Sequence, residues 1–283
     1  MITRGGGGRG PHRYAGRAVA TYLDTILAAH RAAAAADPRP RPALERAARA
    51  APPTRGFAAA LAAGSRDGRV AVVAEVKRRS PSKGPLAPDL DPAGTARRYA
   101  EGGASCLSVL TDAEFFGGSP SDLGEARAAV GLPVLRKDFT VCEADVLDAR
   151  VMGADAVLLI VAALSDAELV AFSALAGELG LDALVEVHDE AEVARALAAG
   201  ARLVGVNQRD LTTFRVDTER AVRVAGSIPP GVIRVAESGI TGAGDAARLA
   251  DAGYHAVLVG ESLVTSPDPA GAVRALRSAG ACS

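Results

Sequence analysis

The sequence predicts an α/β fold, a (β/α)8 or TIM barrel with an extra N-terminal helical segment. Three observations lead to this prediction. Eight short apolar runs follow one another between residues 69 and 283. Segments rich in Ala, Arg and Glu, with helical periodicity, separate these runs, and such alternation is typical of a parallel sheet covered by helices. Eight strand–helix units in one chain of 283 residues match the size of a (β/α)8 barrel.

The chain before the first apolar run is predicted to contain a tail and a helical segment but no strand. Residues 1–16 are rich in Gly and Arg and are expected to be a disordered tail. Residues 17–68 are expected to form a helical extension, with an amphipathic helix over 18–35 and shorter helices over 42–50 and 56–63. This extension would cover the bottom of the barrel or border its mouth.

Each apolar run is predicted to form one buried strand. In chain order the runs are VAVVAEV (70–76), CLSVL (106–110), PVLRK (133–137), AVLLIV (156–161), ALVEV (183–187), RLVGVN (202–207), GVIRVAE (231–237) and AVLVG (256–260). A doubly wound open sheet is the structural alternative. That fold usually has fewer strands, and the GxGxxG dinucleotide fingerprint that would follow its first strand is absent here.

The composition indicates which kinds of partner, metal site and location to expect. Hydrophobic residues make up 49% of the chain and charged residues 23%, as in a globular protein, and the net charge of −1 gives no electrostatic reason to expect a nucleic acid or an anionic membrane as partner. The sequence contains neither a transmembrane run nor the apolar region of a signal peptide. The three cysteines and four histidines lack metal-ligand spacing, which predicts no metal site, no disulfide framework and a cytoplasmic location.

Lysine and asparagine are scarce, and the few copies lie at informative places. Only three of the 32 basic residues are Lys, namely Lys77, Lys83 and Lys137, and Asn207 is the only Asn. Arg stays protonated, so it cannot replace an amine whose pKa must move. In a chain that otherwise uses Arg, the remaining lysines are therefore candidates for chemistry.

Polar residues gather at the C-terminal ends of the predicted strands, where (β/α)8 barrels carry their active sites. The first strand ends in Glu75 and Lys77, which share a face because residues i and i+2 of a strand point the same way. The other candidates at strand ends are Lys137, Glu186, Asn207, Arg209 and Glu237. Chance placement would scatter such residues over the helices, so together they predict one site at the barrel mouth.

The last two strand ends predict a phosphate site. Ser238 and Gly239 follow the seventh strand, and Gly260 and Glu261 follow the eighth. Glycine lets backbone N–H groups approach an anion, and barrels commonly bind phosphate with these two loops. We expect the Glu261 side chain to point away from the anion and its backbone to bind.

Two further features concern the rest of the substrate. The loop after the first strand, residues 78–85, is basic and is expected to form a mobile lid over an anionic ligand. Phe115, Phe116 and Phe139 follow strand ends and predict an apolar wall for an aromatic ring.

Seven stretches of the chain resemble the indole-3-glycerol phosphate synthase family. They are EVKRRSPSKG (75–84), LSVLTDAEFFGGS (107–119), PVLRKDF (133–139), LVEVHDE (184–190), GVNQRDL (205–211), AESGI (236–240) and VLVGESLV (257–264). The resemblance implies a monofunctional lyase of tryptophan biosynthesis that needs no cofactor or metal. The implied reaction converts 1-(2-carboxyphenylamino)-1-deoxyribulose 5-phosphate to indole-3-glycerol phosphate, CO2 and water. The expected partner is this phosphorylated small molecule, and the chain is expected to be a monomer or a weak homo-oligomer.

The resemblance also implies roles for the motif residues. Lys137 would be the general acid that protonates the substrate ketone, with a pKa lowered by desolvation or nearby cations. Lys77, oriented by Glu75, would hold the substrate carboxylate and serve as acid in the dehydration, and Glu186 would be the base there. The resemblance implies that Asn207 and Glu237 contact the sugar hydroxyls or the reacting region and that Arg209 supports the site as an ion-pair partner. The implied substrate and phosphate contacts are Ser80, Ser238, Gly239, Gly260 and the backbone of Glu261. The implied contacts to the aromatic ring are Pro81, Phe116 and Phe139.

The residues alone leave three other functions open. A Schiff-base aldolase would use Lys137 as its amine. A sugar-phosphate isomerase would share the phosphate loops without needing two lysines and an aromatic wall. A catalytically silent phosphate-binding scaffold would bind ligand without turnover.

Overall fold

The computed structural model describes residues 21–66, 68–210 and 212–279. Eight parallel strands close into a barrel in which each strand pairs with the next and the last pairs with the first. The strands are β1 (Ala71–Val76), β2 (Cys106–Leu110), β3 (Val134–Lys137), β4 (Ala156–Ile160), β5 (Asp182–Val187), β6 (Leu203–Asn207), β7 (Ile233–Glu237) and β8 (Ala256–Val259). The predicted (β/α)8 barrel is confirmed, and its closure excludes the open sheet.

Helices cover the outside of the barrel and precede it. They are α1 (Tyr22–Ala35), α2 (Arg41–Ala50), α3 (Phe57–Gly64), α4 (Pro92–Glu101), α5 (Pro120–Ala129), α6 (Glu143–Val151), α7 (Asp166–Glu178), α8 (Glu190–Ala198), α9 (Arg220–Val224), α10 (Ala243–Asp251), α11 (Glu261–Val264) and α12 (Pro269–Ser278). The tail predicted over residues 1–16 and the start of the helix predicted over 18–35 lie outside the described residues. None of the described helices combines the length and apolarity that a bilayer crossing requires.

The strands bury both of their faces, which explains why their sequences are apolar runs rather than alternating patterns. Outward-facing residues such as Val72 and Leu107 pack under the helices, while inward-facing residues such as Val73 and Leu135 fill the barrel interior. The interior changes character toward the C-terminal strand ends, where charged side chains replace apolar ones.

The three helices of the extension reach both ends of the barrel. Ile26 of α1 packs with Phe115 and Phe139 near the mouth, and α2 packs against α6 on the side. At the opposite end Phe57 and Leu61 of α3 are fully buried against the interior residues of the strands. The extension therefore both borders the mouth and closes the floor, whereas the sequence left these as alternatives.

Carboxylates at the N-terminal strand ends fix α3 in the floor. Asp155, which precedes β4 and is fully buried, accepts hydrogen bonds from the backbone N–H groups of Arg55 (2.8 Å) and Val134 (2.8 Å). Asp182 accepts one from the backbone N–H of Ala58 (2.8 Å) at the start of α3. These bonds satisfy backbone donors that would otherwise be buried without a partner.

Candidate active site

A cavity of about 450 Å³ opens at the C-terminal ends of the barrel strands. Fifteen residues that the sequence predicted as catalytic, substrate-binding or phosphate-binding line this cavity. These residues are Glu75, Lys77, Ser80, Pro81, Phe116, Lys137, Phe139, Glu186, Asn207, Arg209, Glu237, Ser238, Gly239, Gly260 and Glu261. The strand ends of a closed barrel form a ring, so residues far apart in sequence meet across one opening.

Lys137, at the end of β3, is held between two carboxylates. Its Nζ donates to Glu237 Oε2 (2.5 Å) and to Glu186 Oε2 (3.1 Å). The other oxygen of Glu186, Oε1, accepts from Asn207 Nδ2 (3.0 Å), while Glu237 Oε1 is buried and has no hydrogen-bond partner among the described residues. The Lys137 ammonium group thus pairs with two buried carboxylates at once, and this unequal number of charges affects the pKa values of both carboxyl groups.

The pKa of Lys137 differs from the sequence-based expectation. Burial alone would lower it, but the Glu237 and Glu186 carboxylates outweigh burial and raise the pKa of Lys137 above its ordinary value. The expectation of a lowered pKa is therefore wrong, because the nearest charges are anions and not cations. Burial and the neighbouring Glu186 raise the pKa of Glu237 to about 7, whereas Lys137 and Asn207 help to lower that of Glu186 against the effect of burial.

A second lysine–carboxylate pair lies on β1. Lys77 Nζ donates to Glu75 Oε1 (2.5 Å), and Ser108 of β2 lies 3.4 Å from the other Glu75 oxygen. A Cβ atom at Gly260 would collide with Glu75 Oε1 and come within 2.9 Å of Lys77 Nζ. Glycine at this position therefore leaves room for the pair to lie against the end of β8.

The two loops predicted to bind phosphate lie side by side at the rim. Ser238 and Gly239 both have positive φ angles, 66° and 72°, and Gln208 Nε2 donates to the carbonyl oxygen of Ser238 (2.7 Å). Ser262 Oγ donates to the carbonyl oxygen of Ile240 (3.1 Å), which ties the loop after β8 to the loop after β7.

The Glu261 side chain lies at the rim of the cavity, in contact with the loop after β1. Glu261 lines the rim, and its carboxylate accepts a hydrogen bond from Lys83 Nζ (2.5 Å). A lysine from the loop after β1 thus neutralises the carboxylate, so that the acidic side chain can remain beside a site expected to bind an anion.

The loop after β1 crosses the cavity as a small antiparallel hairpin, Arg79–Ser80 paired with Gly84–Pro85. Besides the Lys83 contact, Ser82 Oγ lies 3.3 Å from Arg209 Nη1, which also donates to the carbonyl oxygen of Phe214 (3.2 Å). Polar contacts near the hairpin tip therefore connect the predicted lid to the opposite rim of the barrel.

Two of the three phenylalanines predicted for the aromatic wall line the cavity, and the third does not. The ring centroids of Phe116 and Phe139 lie 6.3 Å apart at the mouth. Phe115 is buried instead, with its ring centroid 5.9 Å from that of Tyr22 on α1. The prediction is wrong for Phe115, because α1 covers the side chain that the barrel alone would expose.

The sequence reasoning did not single out His188, although it lies two residues after Glu186 and so faces the same way. Its Nδ1 lies 3.0 Å from Glu192 Oε2 and its Nε2 lies 3.8 Å from Glu186 Oε1. Burial alone would lower the pKa of His188, but the Glu192 and Glu186 carboxylates raise it. The i, i+2 rule that paired Glu75 with Lys77 would have found this residue.

Phe214 and Val216 also line the cavity without having been predicted. They lie in the loop after β6, well beyond the strand end. A rule that examines only the last residues of each strand cannot find them.

Comparisons with known proteins point to a single enzyme family. The family model described as indole-3-glycerol phosphate synthase matches residues 23–276. The chain is 54% identical over 227 residues to indole-3-glycerol phosphate synthase 2 of Streptomyces coelicolor, covering 80% of this chain and 86% of the relative. It is 51% identical over 267 residues to indole-3-glycerol phosphate synthase of Mycobacterium ulcerans, covering 92% and 95%.

A solved structure supports the fold alone. Thiamine phosphate pyrophosphorylase from Pyrococcus furiosus superposes with a TM-score of 0.56 at 19% identity, covering 75% of this chain and 96% of that one. The family match includes all eight strands, and the two relatives cover 80% and 92% of the chain. The chain therefore belongs to the indole-3-glycerol phosphate synthase family.

Proposed function

We propose that this chain closes the indole ring of 1-(2-carboxyphenylamino)-1-deoxyribulose 5-phosphate and releases indole-3-glycerol phosphate, CO2 and water. The observation that carries the proposal is the convergence of Lys77, Lys137 and Glu186 on one cavity. The reaction needs groups that donate a proton and contact the substrate carboxylate, which two ammonium groups can do. It also needs a group that removes a proton, which a carboxylate can do.

Ring closure would use Lys137 as general acid. As the ring carbon that bears the carboxylate attacks the ketone carbon, a C–C bond forms and the ketone oxygen takes a proton from Lys137. The Glu237 and Glu186 carboxylates keep Lys137 protonated before this step, as an acid must be. Loss of CO2 from the same carbon then restores the aromatic ring. The apolar surround of Phe116 and Phe139 favours this step because it stabilises the ionised carboxylate less than water does.

Dehydration would use Lys77 and Glu186. The new hydroxyl group leaves as water with a proton from Lys77, and Glu186 takes the proton from the ring carbon beside the nitrogen, which completes the indole double bond. Two protons leave the lysines and one reaches Glu186, so each turnover takes up one proton from solvent. Glu186 lies 3.1 Å from Lys137, so its proton can return to that amine.

The other cavity residues would bind and orient the substrate. Asn207, which donates to Glu186, and Glu237 are proposed to contact the sugar hydroxyls or the reacting region, and Glu75 orients Lys77. Arg209 supports the lid. The proposed substrate and phosphate contacts are Ser80, Ser238, Gly239, Gly260 and the backbone of Glu261, and the proposed aromatic-ring contacts are Pro81, Phe116 and Phe139.

We also propose that the extension, residues 17–68, and the barrel, residues 69–283, act as one unit. The support is that α3 seals the barrel floor and α1 reaches its mouth. A cytoplasmic location is proposed because Cys106 and Cys142 form no disulfide within the described residues. The proposed monomer or weak oligomer accords with the exposed large apolar residues among the described ranges, four valines spread over different segments.

The proposal is tested by incubating the protein with the carboxyphenylamino sugar phosphate and following indole fluorescence. We expect turnover in the wild type, and loss of turnover in Lys137→Ala with retained affinity for inorganic phosphate. Equal loss of both would argue against an acid role. A borohydride-trapped adduct on Lys137 would favour the aldolase instead, although the carboxylates that keep Lys137 protonated disfavour the free amine that an imine needs.

A further inference from the structure

Helix α1 carries a histidine, His30, that the proposed chemistry does not use. We propose that His30 is a positioning residue that holds the aromatic wall of the active site by bridging two buried carboxylates, Asp112 and Asp138. This inference rests on the proposed function, because the wall matters only if it binds an aromatic ring.

The bridge joins three separate parts of the chain. His30 Nε2 lies 3.0 Å from Asp112 Oδ2, in the loop after β2, and 3.9 Å from Asp138 Oδ1, in the loop after β3. Both aspartates are buried. A single side chain of the extension therefore reaches the two neighbouring strand ends that carry the phenylalanines of the wall.

Each bridged carboxylate fixes the backbone of a wall residue. Asp112 Oδ1 accepts from the backbone N–H of Phe116 (3.0 Å) and also from that of Phe115 (2.6 Å). Asp138 Oδ1 accepts from the backbone N–H of Phe139 (2.8 Å). Movement of either carboxylate would therefore shift a ring that lines the cavity.

The imidazole ring also touches the wall directly. Its centroid lies 5.3 Å from that of Phe139 and 6.5 Å from that of Phe115. His30 thus contacts the Phe139 ring of the wall directly and supports the wall through the two carboxylates. Asp138 directly follows Lys137, so the same bridge steadies the segment that carries the proposed acid.

The charges around His30 fit a bridging cation. Burial alone would lower its pKa, but Asp112, Asp138 and the nearby Asp145 raise it above the ordinary histidine value. Arg136 Nη2 pairs with the other oxygen of Asp138 (3.0 Å). The ligand atoms of His30, Asp112 and Asp138 all lie within 4.8 Å of one another, but the aspartates already accept backbone N–H and guanidinium bonds, so we assign the cluster to ion pairing and not to a metal.

The test compares His30→Ala and His30→Gln with wild type, using 2-aminobenzoate and inorganic phosphate as separate binding probes. We expect His30→Ala to weaken 2-aminobenzoate binding about tenfold, to raise KM for the substrate more than it lowers kcat, and to leave phosphate binding unchanged. His30→Gln should lie between the two, because its amide can donate to one carboxylate but carries no charge. It also serves as the test variant if His30→Ala does not fold.

Arg31→Ala is the matched control, because Arg31 anchors the same helix away from the wall, to Glu168 Oε1 (2.9 Å) and to the carbonyl oxygen of Ala163 (3.1 Å). It should leave 2-aminobenzoate binding unchanged. Equal losses in Arg31→Ala and His30→Ala, equal loss of both probes, or no loss in His30→Ala would overturn the inference. If one of these outcomes appears while the wild type turns over the substrate normally, this inference alone is refuted. If the wild type shows no turnover, the proposed function is refuted, and this inference with it.

Discussion

Among single residues, Lys137 shows most clearly what the sequence could and could not predict. Its scarcity and its place at a strand end identified it as a site residue. Its charge environment was not predictable, because Glu237 lies 100 residues away and approaches only when the barrel closes. A pKa depends on which charges lie within a few ångströms, and linear sequence does not give that distance.

Glu237 should make the folded chain less stable at alkaline pH. Its pKa is about 7 in the folded chain against an ordinary 4.5. Between these values the folded state holds a proton that the unfolded state has lost, so the free energy of unfolding falls as the pH rises through this window.

Glu237→Gln removes this ionisation, so its free energy of unfolding relative to that of wild type should rise between pH 5 and pH 8. Urea unfolding at the two pH values measures both differences. An unchanged difference between pH 5 and pH 8 would show that Glu237 does not titrate in this range.

At the level of elements, the sequence predicted all eight barrel strands but neither the hairpin strands after β1 nor how the extension wraps the barrel. Strand residues carry their signal locally, as apolar runs between helical segments. The position of α1 depends instead on contacts with distant loops, such as His30 with Asp112 and Tyr22 with Phe115. For this reason His30 and the burial of Phe115 could not be predicted from local pattern.

The lid loop gives a prediction about binding. Lys83 pairs with Glu261 across the rim at a largely exposed position, so Lys83→Ala should leave thermal stability nearly unchanged. The lid loses one positive charge for an anionic substrate, and KM should rise several-fold with little change in kcat. Steady-state kinetics measure the split, and Lys83→Arg is the charge-retaining control. A collapse of kcat with KM unchanged would contradict a binding role for the lid.

The floor helix α3 gives a prediction about stability. Phe57 is fully buried at the end of the barrel opposite the active site, so Phe57→Ala should lower the free energy of unfolding by about 3–5 kcal/mol. Urea denaturation measures the loss, and kcat of the folded variant at 25 °C should stay close to wild type. A fall in kcat without a fall in stability would mean that the floor and the mouth are coupled.

For the whole molecule, barrel closure explains why so much of the candidate site could be predicted. Once eight parallel strands are inferred, all their C-terminal ends must meet at one opening, so Glu75, Lys137, Glu186 and Glu237 must share it. The rule fails for side chains that reach the cavity from elsewhere, such as Phe214 from a long loop. Closure thus explains why the predicted residues lie together at one opening.

The most direct test of the account is a single-turnover experiment that follows CO2 release and indole fluorescence separately in Lys137→Ala and Glu186→Gln. If Lys137 drives ring closure and Glu186 acts only in the later dehydration, Lys137→Ala releases no CO2, whereas Glu186→Gln releases CO2 and forms indole slowly. Loss of CO2 release in both variants, or CO2 release from Lys137→Ala at the wild-type rate, would contradict this division of roles.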